Sequence, residues 1–184
     1  MDDLAFRFDT GATWLNLLAT RGRSFSAHPV ERLATVDLLG EWLACSELTP
    51  GRRLTPADLD LALTLRETLR DLAMATVTGE RPPPAAARRI AEFLAAQDDP
   101  VRLTVTDRVV RRPPATATAA LARIARQAVD HLTGPERHTL VLCDEQDCRG
   151  VFADPTGRRR WCPAPACASR GRVRAMRERR RAEA

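Results

Sequence analysis

Four of the chain's five cysteines, Cys143, Cys148, Cys162 and Cys167, fall as C-x4-C, thirteen intervening residues, and a second C-x4-C. Two thiolate pairs brought together by their loops supply a tetrahedral S4 donor set, which suits Zn2+. Four protein ligands leave no open position for a reactive water, so the expected cofactor is one structural zinc ion. Disulfides and a redox pair are the competing readings. Disulfides are disfavoured in a chain without a secretion signal, and redox sites more often show C-x2-C. Cys45 stands alone on an apolar helix and reads as a core residue.

The second chemical signal is charge. The formal net charge is +5. From Cys143 to Ala184 there are eleven Arg against six Asp or Glu, while the other 142 residues carry eighteen of each sign. The excess sits in Arg158, Arg159 and Arg160 before the third cysteine, and in Arg170, Arg172, Arg174 and Arg177 after the fourth, followed by Arg179 to Arg181. The chain has no Lys, so an isolated Arg elsewhere means little, whereas the clustering is a signal. Two readings stand: the arginines contact nucleic-acid phosphates, or they form a solvated, partly frayed C-terminus. His28, His131 and His138 show neither metal spacing with an acidic neighbour nor a nucleophile motif, and no glycine-rich phosphate loop is present. An enzyme is therefore the last-ranked class.

The elements that must position these residues can be read from caps and spacing. Thr139 to Leu142 is a strand running into Cys143. Val151-Phe152 and Arg160-Trp161 flank the turn Asp154-Pro155-Thr156-Gly157 and read as a β-hairpin, with Phe152 and Trp161 covering one side of the metal. Pro163 and Pro165 keep the second cysteine loop extended. A helix is expected from near Cys167 toward Ala182, with its N–H groups favouring the Cys167 thiolate.

Upstream, Phe6 to Asp9 alternates as a short strand, and Ala12 to Thr20 reads as a helix. His28 to Cys45 has near-helical apolar spacing. Thr55, Pro56 and Asp58 mark the start of a long helix buried through Leu59, Leu63, Leu69, Leu72 and Ala73, with Arg66, Glu67, Arg70 and Asp71 on its other side. Ala85 to Gln97 is a further helix. Val101 to Val105 and Val109-Val110 suggest a small hairpin. Ala115 to Leu132 is the last helix before a boundary at Thr133 to Glu136.

The fold class implied is α+β: a mainly helical unit over residues 1–135 with a small hairpin, then a four-cysteine unit over 139–184 with a β-hairpin and a basic C-terminal helix. Hydrophobic content of 44% allows a globular core, and aromatic content of 4% leaves that core to Leu, Ala and Val. No apolar run reaches the roughly 20 residues of a membrane helix. Met1 to Leu4 lack the pattern of a signal peptide, so a cytoplasmic location is expected.

Two features together resemble bacterial proteins with an N-terminal ABATE domain and a C-terminal CGNR-type zinc finger. The finger is similar in its four cysteines, in Val151-Phe152-Ala153-Asp154, in Arg159-Arg160-Trp161-Cys162 and in the basic helix after Cys167. The N-terminal half resembles ABATE in Phe8-Asp9-x-Gly11, the following helix, and the helix ending in Trp42-Leu43. The resemblance implies a stress-related transcription regulator that binds DNA through its finger. The name motif reads Cys167-Ala168-Ser169-Arg170 here, so only its Cys and Arg carry over. The family often has Asp and Asn where Asn16 and Ala19 align, which would alter any ligand contact made there.

The leading expectation is a DNA-binding regulator whose helical unit senses a small-molecule ligand or forms a homodimer. One basic finger binds weakly alone, and dimerising is a usual remedy. The alternative is an interaction module in which the finger only completes the fold.

Overall fold

The computed structural model describes residues 5–182; the Met1 to Leu4 reading and the last two residues of the 139–184 unit lie outside them. The longest helix, α3 (Pro56–Thr78), sets the frame. It opens on a reciprocal cap: Asp58 N donates to the Thr55 hydroxyl at 3.4 Å, and Thr55 N donates to the Asp58 carboxylate at 2.8 Å. Around it pack α1 (Thr13–Leu18), α2 (Val36–Cys45), α4 (Pro84–Ala95) and α5 (Ala117–Thr133). Trp14, Trp42, Leu69, Leu121 and Ile124 lie at the centre of one core. Ala62, Ala73, Ala120, Ala125 and Ala128 are buried in it too, small residues that let the helices approach closely.

Several expectations are corrected. Phe6 to Asp9 forms no strand. Helix α2 begins at Val36 with Thr35 as its N-cap, not at His28. The residues ahead of it instead form β2 (Val30–Glu31), paired antiparallel with β1 (Arg21–Gly22). His28 is exposed in the loop between them. Cys45 is exposed at the end of α2, because the buried stripe of that helix is Leu39, Trp42 and Leu43.

The polar side of α3 also differs. Asp71 is exposed, but Arg66 and Arg70 are buried. The β1–β2 pair and the end of α1 supply their partners. Arg66 holds the two Glu31 carboxylate oxygens at 2.7 Å each and donates to Thr20 Oγ1 at 3.0 Å. Arg70 donates to the Leu18 carbonyl at 2.8 Å, one of the carbonyls that a helix C-terminus leaves without an internal partner. Buried guanidinium groups are tolerated here because each is paired.

The small hairpin is present as β3 (Leu103–Val105) and β4 (Val109–Arg111), in the expected antiparallel arrangement. Leu103, Val105 and Val109 are exposed. Its base is clipped to α5 through Asp99, whose carboxylate accepts from Arg123 at 2.7 Å and from Arg111 at 2.9 Å. At the far end of α5, Trp14 Nε1 donates to His131 Nδ1 at 3.2 Å, and His131 Nε2 meets Thr139 Oγ1 at 3.2 Å. An indole can only donate. The neutral imidazole therefore carries its proton on Nε2, and the network joins α1, α5 and the 3-10 turn Pro135–Thr139.

After that turn, β5 (Leu140–Leu142) pairs antiparallel with β6 (Val151–Ala153), and α6 (Pro165–Ala182) is the last described element. Leu140 and Val151 belong to the same core as α3, so the cysteine-bearing part rests directly on the helical part. No described helix is long and apolar enough to cross a membrane.

Candidate zinc centre and its basic flank

Each cysteine is delivered by a different local device. Cys143 follows β5, and its N–H donates to the Gly150 carbonyl at 2.9 Å. Cys148 closes a turn in which its own N–H and that of Arg149 both donate to Glu145 O at 2.9 Å. The hairpin partner of the predicted second strand is corrected here. Val151-Phe152 pairs with β5, and Arg160-Trp161 forms no strand. The reason is the turn at Asp154. Its carboxylate accepts from Thr156 N, Thr156 Oγ1 and Arg159 N, the last at 2.7 Å, which bends the chain away as a loop instead of returning it along β6. That loop carries Arg158, Arg159 and Arg160 to Cys162. Cys167 lies in the first turn of α6, as expected from sequence.

The four Sγ atoms all lie within 4.8 Å of one another. Cys148 and Cys162 are 3.9 Å apart, far beyond the roughly 2.05 Å of a disulfide. A tetrahedron with Zn–S bonds of about 2.3 Å has edges of about 3.8 Å. The donor set therefore fits one structural zinc ion with all four positions filled by protein.

Hydrogen bonds to the sulfurs complete the surroundings. Cys162 N donates to Cys143 Sγ at 3.3 Å, and Arg7 Nη1 reaches Cys162 Sγ at 3.7 Å from the other end of the chain. Phe152 is fully buried beside the cysteines, and Trp161 packs against the same group. The Trp161 ring lies on α6 at Gly171, where a Cβ would collide with it.

The N-terminal segment is part of this construction. Ala153 N donates to Thr10 O at 2.9 Å, and Thr10 is held by Asn16 Oδ1 through both its N–H (3.2 Å) and its hydroxyl (2.5 Å). Gly11 has φ +100°, and a Cβ there would stand 2.7 Å from the Ala153 Cβ. Only glycine combines that backbone with that approach. The Phe8-Asp9-x-Gly11 opening is thus a splice onto β6, and Asn16 is engaged within the fold.

The seven arginines singled out from sequence are not equivalent. Arg158, Arg159, Arg160, Arg172 and Arg177 are exposed. Arg160 also reaches Asp144 at 2.9 Å and lies 5.4 Å from the centre of the Trp161 ring. Arg170 and Arg174 are half-buried and turn toward Glu145, at 3.8 and 3.2 Å. Glu145 has no exposed surface, and neither of its oxygens has a hydrogen-bond partner among the described residues. Sequence reasoning missed Glu145. An acidic residue inside a cysteine loop, facing arginines one helical turn apart, was the available signal. Arg7 was missed as well, and no local pattern marks it.

Residues 11–135 match the ABATE family model, described as "Putative stress-induced transcription regulator", and residues 140–180 match the CGNR zinc finger model. No curated protein matches the chain at a significant level.

Proposed function

For a chain that belongs to the ABATE family and carries a CGNR zinc finger, we propose a transcription regulator that grips DNA through the basic flank of its zinc centre. Both families are of regulator and zinc-finger type rather than enzyme families. The observation that carries the reading is Trp161. It holds the Arg158–Arg160 loop against α6 at Gly171, so that two basic segments distant in sequence share one support. Arg158, Arg159, Arg160, Arg172 and Arg177 contact phosphates, and Arg170 and Arg174 anchor the helix while adding to the local positive potential. Phosphate contact positions the protein and carries no sequence information by itself. The helical unit, residues 1–135, senses or dimerises, and residues 139–184 dock. The reading requires a compartment where DNA and reduced thiols coexist, which is the cytoplasm.

The test is binding of the zinc-loaded chain to mixed duplex DNA and to single-stranded RNA across a salt series. A steep loss of affinity with salt is expected on duplex DNA, and the Arg159→Ala, Arg172→Ala, Arg177→Ala combination should flatten the slope by about three, one per lost phosphate contact. No binding even at low salt would overturn the reading. The interaction module would then lead, a reading favoured by the exposed apolar side chains of the β3–β4 hairpin, Leu103, Val105 and Val109.

A further inference from the structure

Between the β1–β2 pair and the zinc centre lies a cavity of about 100 Å3 whose wall has an unusual composition. Six arginines line it: Arg7, Arg21, Arg23, Arg32, Arg70 and Arg170. No Asp or Glu does. The carboxylates paired with several of these arginines, Asp9, Glu67 and Glu145, stand behind the wall and not in it. The remaining wall includes Cys148, Cys162 and Cys167 with the first turn of α6, the positive end of that helix dipole.

One guanidinium donor on this wall, Arg23 Nε, is buried without a hydrogen-bond acceptor among the described residues, whereas Arg170 Nε faces the Glu145 carboxylate at 3.8 Å. A buried donor left unpaired is costly, and a ligand, an ion or an ordered water supplies the missing acceptor. Arginine forks match the geometry of phosphate oxygens through paired N–H groups. The volume is far below that of a cavity for a drug-sized molecule, roughly 300 Å3 or more, so it takes one compact anionic group and not a nucleoside.

We infer that this junction cavity binds the phosphoryl group of a small phosphate monoester or free inorganic phosphate. The inference goes beyond the DNA reading. It gives the chain a small-anion site bounded by the helical part through Arg21, Arg23 and Arg70, and by the finger through Arg170 and the α6 N-terminus. An anion bound there ties the two parts together, so ligand binding stabilises their contact.

The experiment is calorimetric titration of the full zinc-loaded chain, in low-chloride buffer, with inorganic phosphate and separately with glycerol 3-phosphate. Thermal denaturation and zinc content are read in parallel. One site per chain and a raised Tm are expected, with glycerol 3-phosphate the tighter ligand if the natural one is a monoester and inorganic phosphate if it is the free ion. Arg23→Gln alone, and Arg21→Gln with Arg23→Gln, should weaken binding about tenfold or more with zinc content unchanged. Arg179→Gln with Arg180→Gln removes the same charge at the far end of α6 and should change the affinity less than about twofold.

No heat and no Tm shift at roughly 10 mM of either anion would overturn the inference, leaving the arginines as counter-charges of the tetrathiolate centre. Equal weakening by the α6 pair would also overturn it, since that is general attraction. Displacement of bound phosphate by a short DNA duplex would make the cavity part of the DNA surface and remove the small-ligand site. The salt-dependent DNA binding lost through Arg172 and Arg177 does not depend on any of these outcomes.

Discussion

The Arg174 guanidinium stands 3.2 Å from the carboxylate of Glu145, a side chain with no exposed surface at all. Arg170, one helical turn earlier, faces the same carboxylate at 3.8 Å. The loop between the first two cysteines and the basic helix after the fourth are therefore joined by charge as well as by metal. The face of α6 bearing Arg170 and Arg174 is turned inward by this contact, and the arginines beyond it are left for solvent or a partner.

Removing one side of that contact should cost more than removing both. Arg174→Ala leaves a buried carboxylate with only the more distant Arg170, and should destabilise the chain by on the order of 2 kcal/mol. Glu145→Gln with Arg174→Ala should recover part of the loss. Thermal denaturation of the two single variants and the pair, at fixed zinc, measures the coupling; strict additivity would mean that the two residues do not interact.

Loss of a ligand should separate metal from fold. Cys162→Ser should abolish tight binding of one zinc equivalent and loosen the segment from β5 to α6, while α3 and α5 keep their helicity. Colorimetric zinc release with limited proteolysis checks this. A variant that retains a full equivalent would remove Cys162 from the ligand set.

Gly11→Ala should weaken the splice between the N-terminal segment and β6. The substitution strains a φ of +100° and pushes a methyl against Ala153. A loss of about 1–3 kcal/mol is expected, together with faster hydrogen exchange at Ala153 N, which donates to Thr10 O. Unchanged exchange there would show that the splice tolerates a side chain.

Stability should fall on acidification. Hydrogen bonds from Arg123 hold Asp99 below its ordinary 3.8. Burial pushes Glu31 up, but hydrogen bonds from Arg66 and from the Leu33 N–H bring it below its ordinary 4.5. A carboxylate whose folded pKa is depressed contributes stability that is present above its unfolded value and lost as pH falls through the folded one. The decline should begin near pH 4.5 and deepen below 3.8, and Asp99→Asn should flatten its lower part. Equal pH slopes for Asp99→Asn and the native chain between pH 4 and about 2.5 would exclude Asp99 as a contributor.

The metal centre and most helices were legible in the sequence because their causes are local. The cysteine spacing brings two thiolate pairs within reach of one ion, and Thr55 with Asp58 caps α3 whatever packs beside it. A hairpin ending at Arg111 needs only alternation and a turn. The misread places have non-local causes. Arg66 and Arg70 sit where helical periodicity alone would solvate them, and only the return of β1–β2 over that side, bringing Glu31, makes burial favourable. Arg160-Trp161 has the composition of a strand, but Asp154 binds the backbone ahead of it and β5 already occupies the edge of β6. Arg7 meets Cys162 across nearly the whole chain. The sequence by itself determined which residues could ligate zinc and which segments could be helical, because one or two turns of chain suffice to define both. Only the tertiary structure decided which arginines are committed to Glu145, Glu31 and Glu67 and which remain exposed, because a guanidinium takes its role from the partner that folding places opposite it.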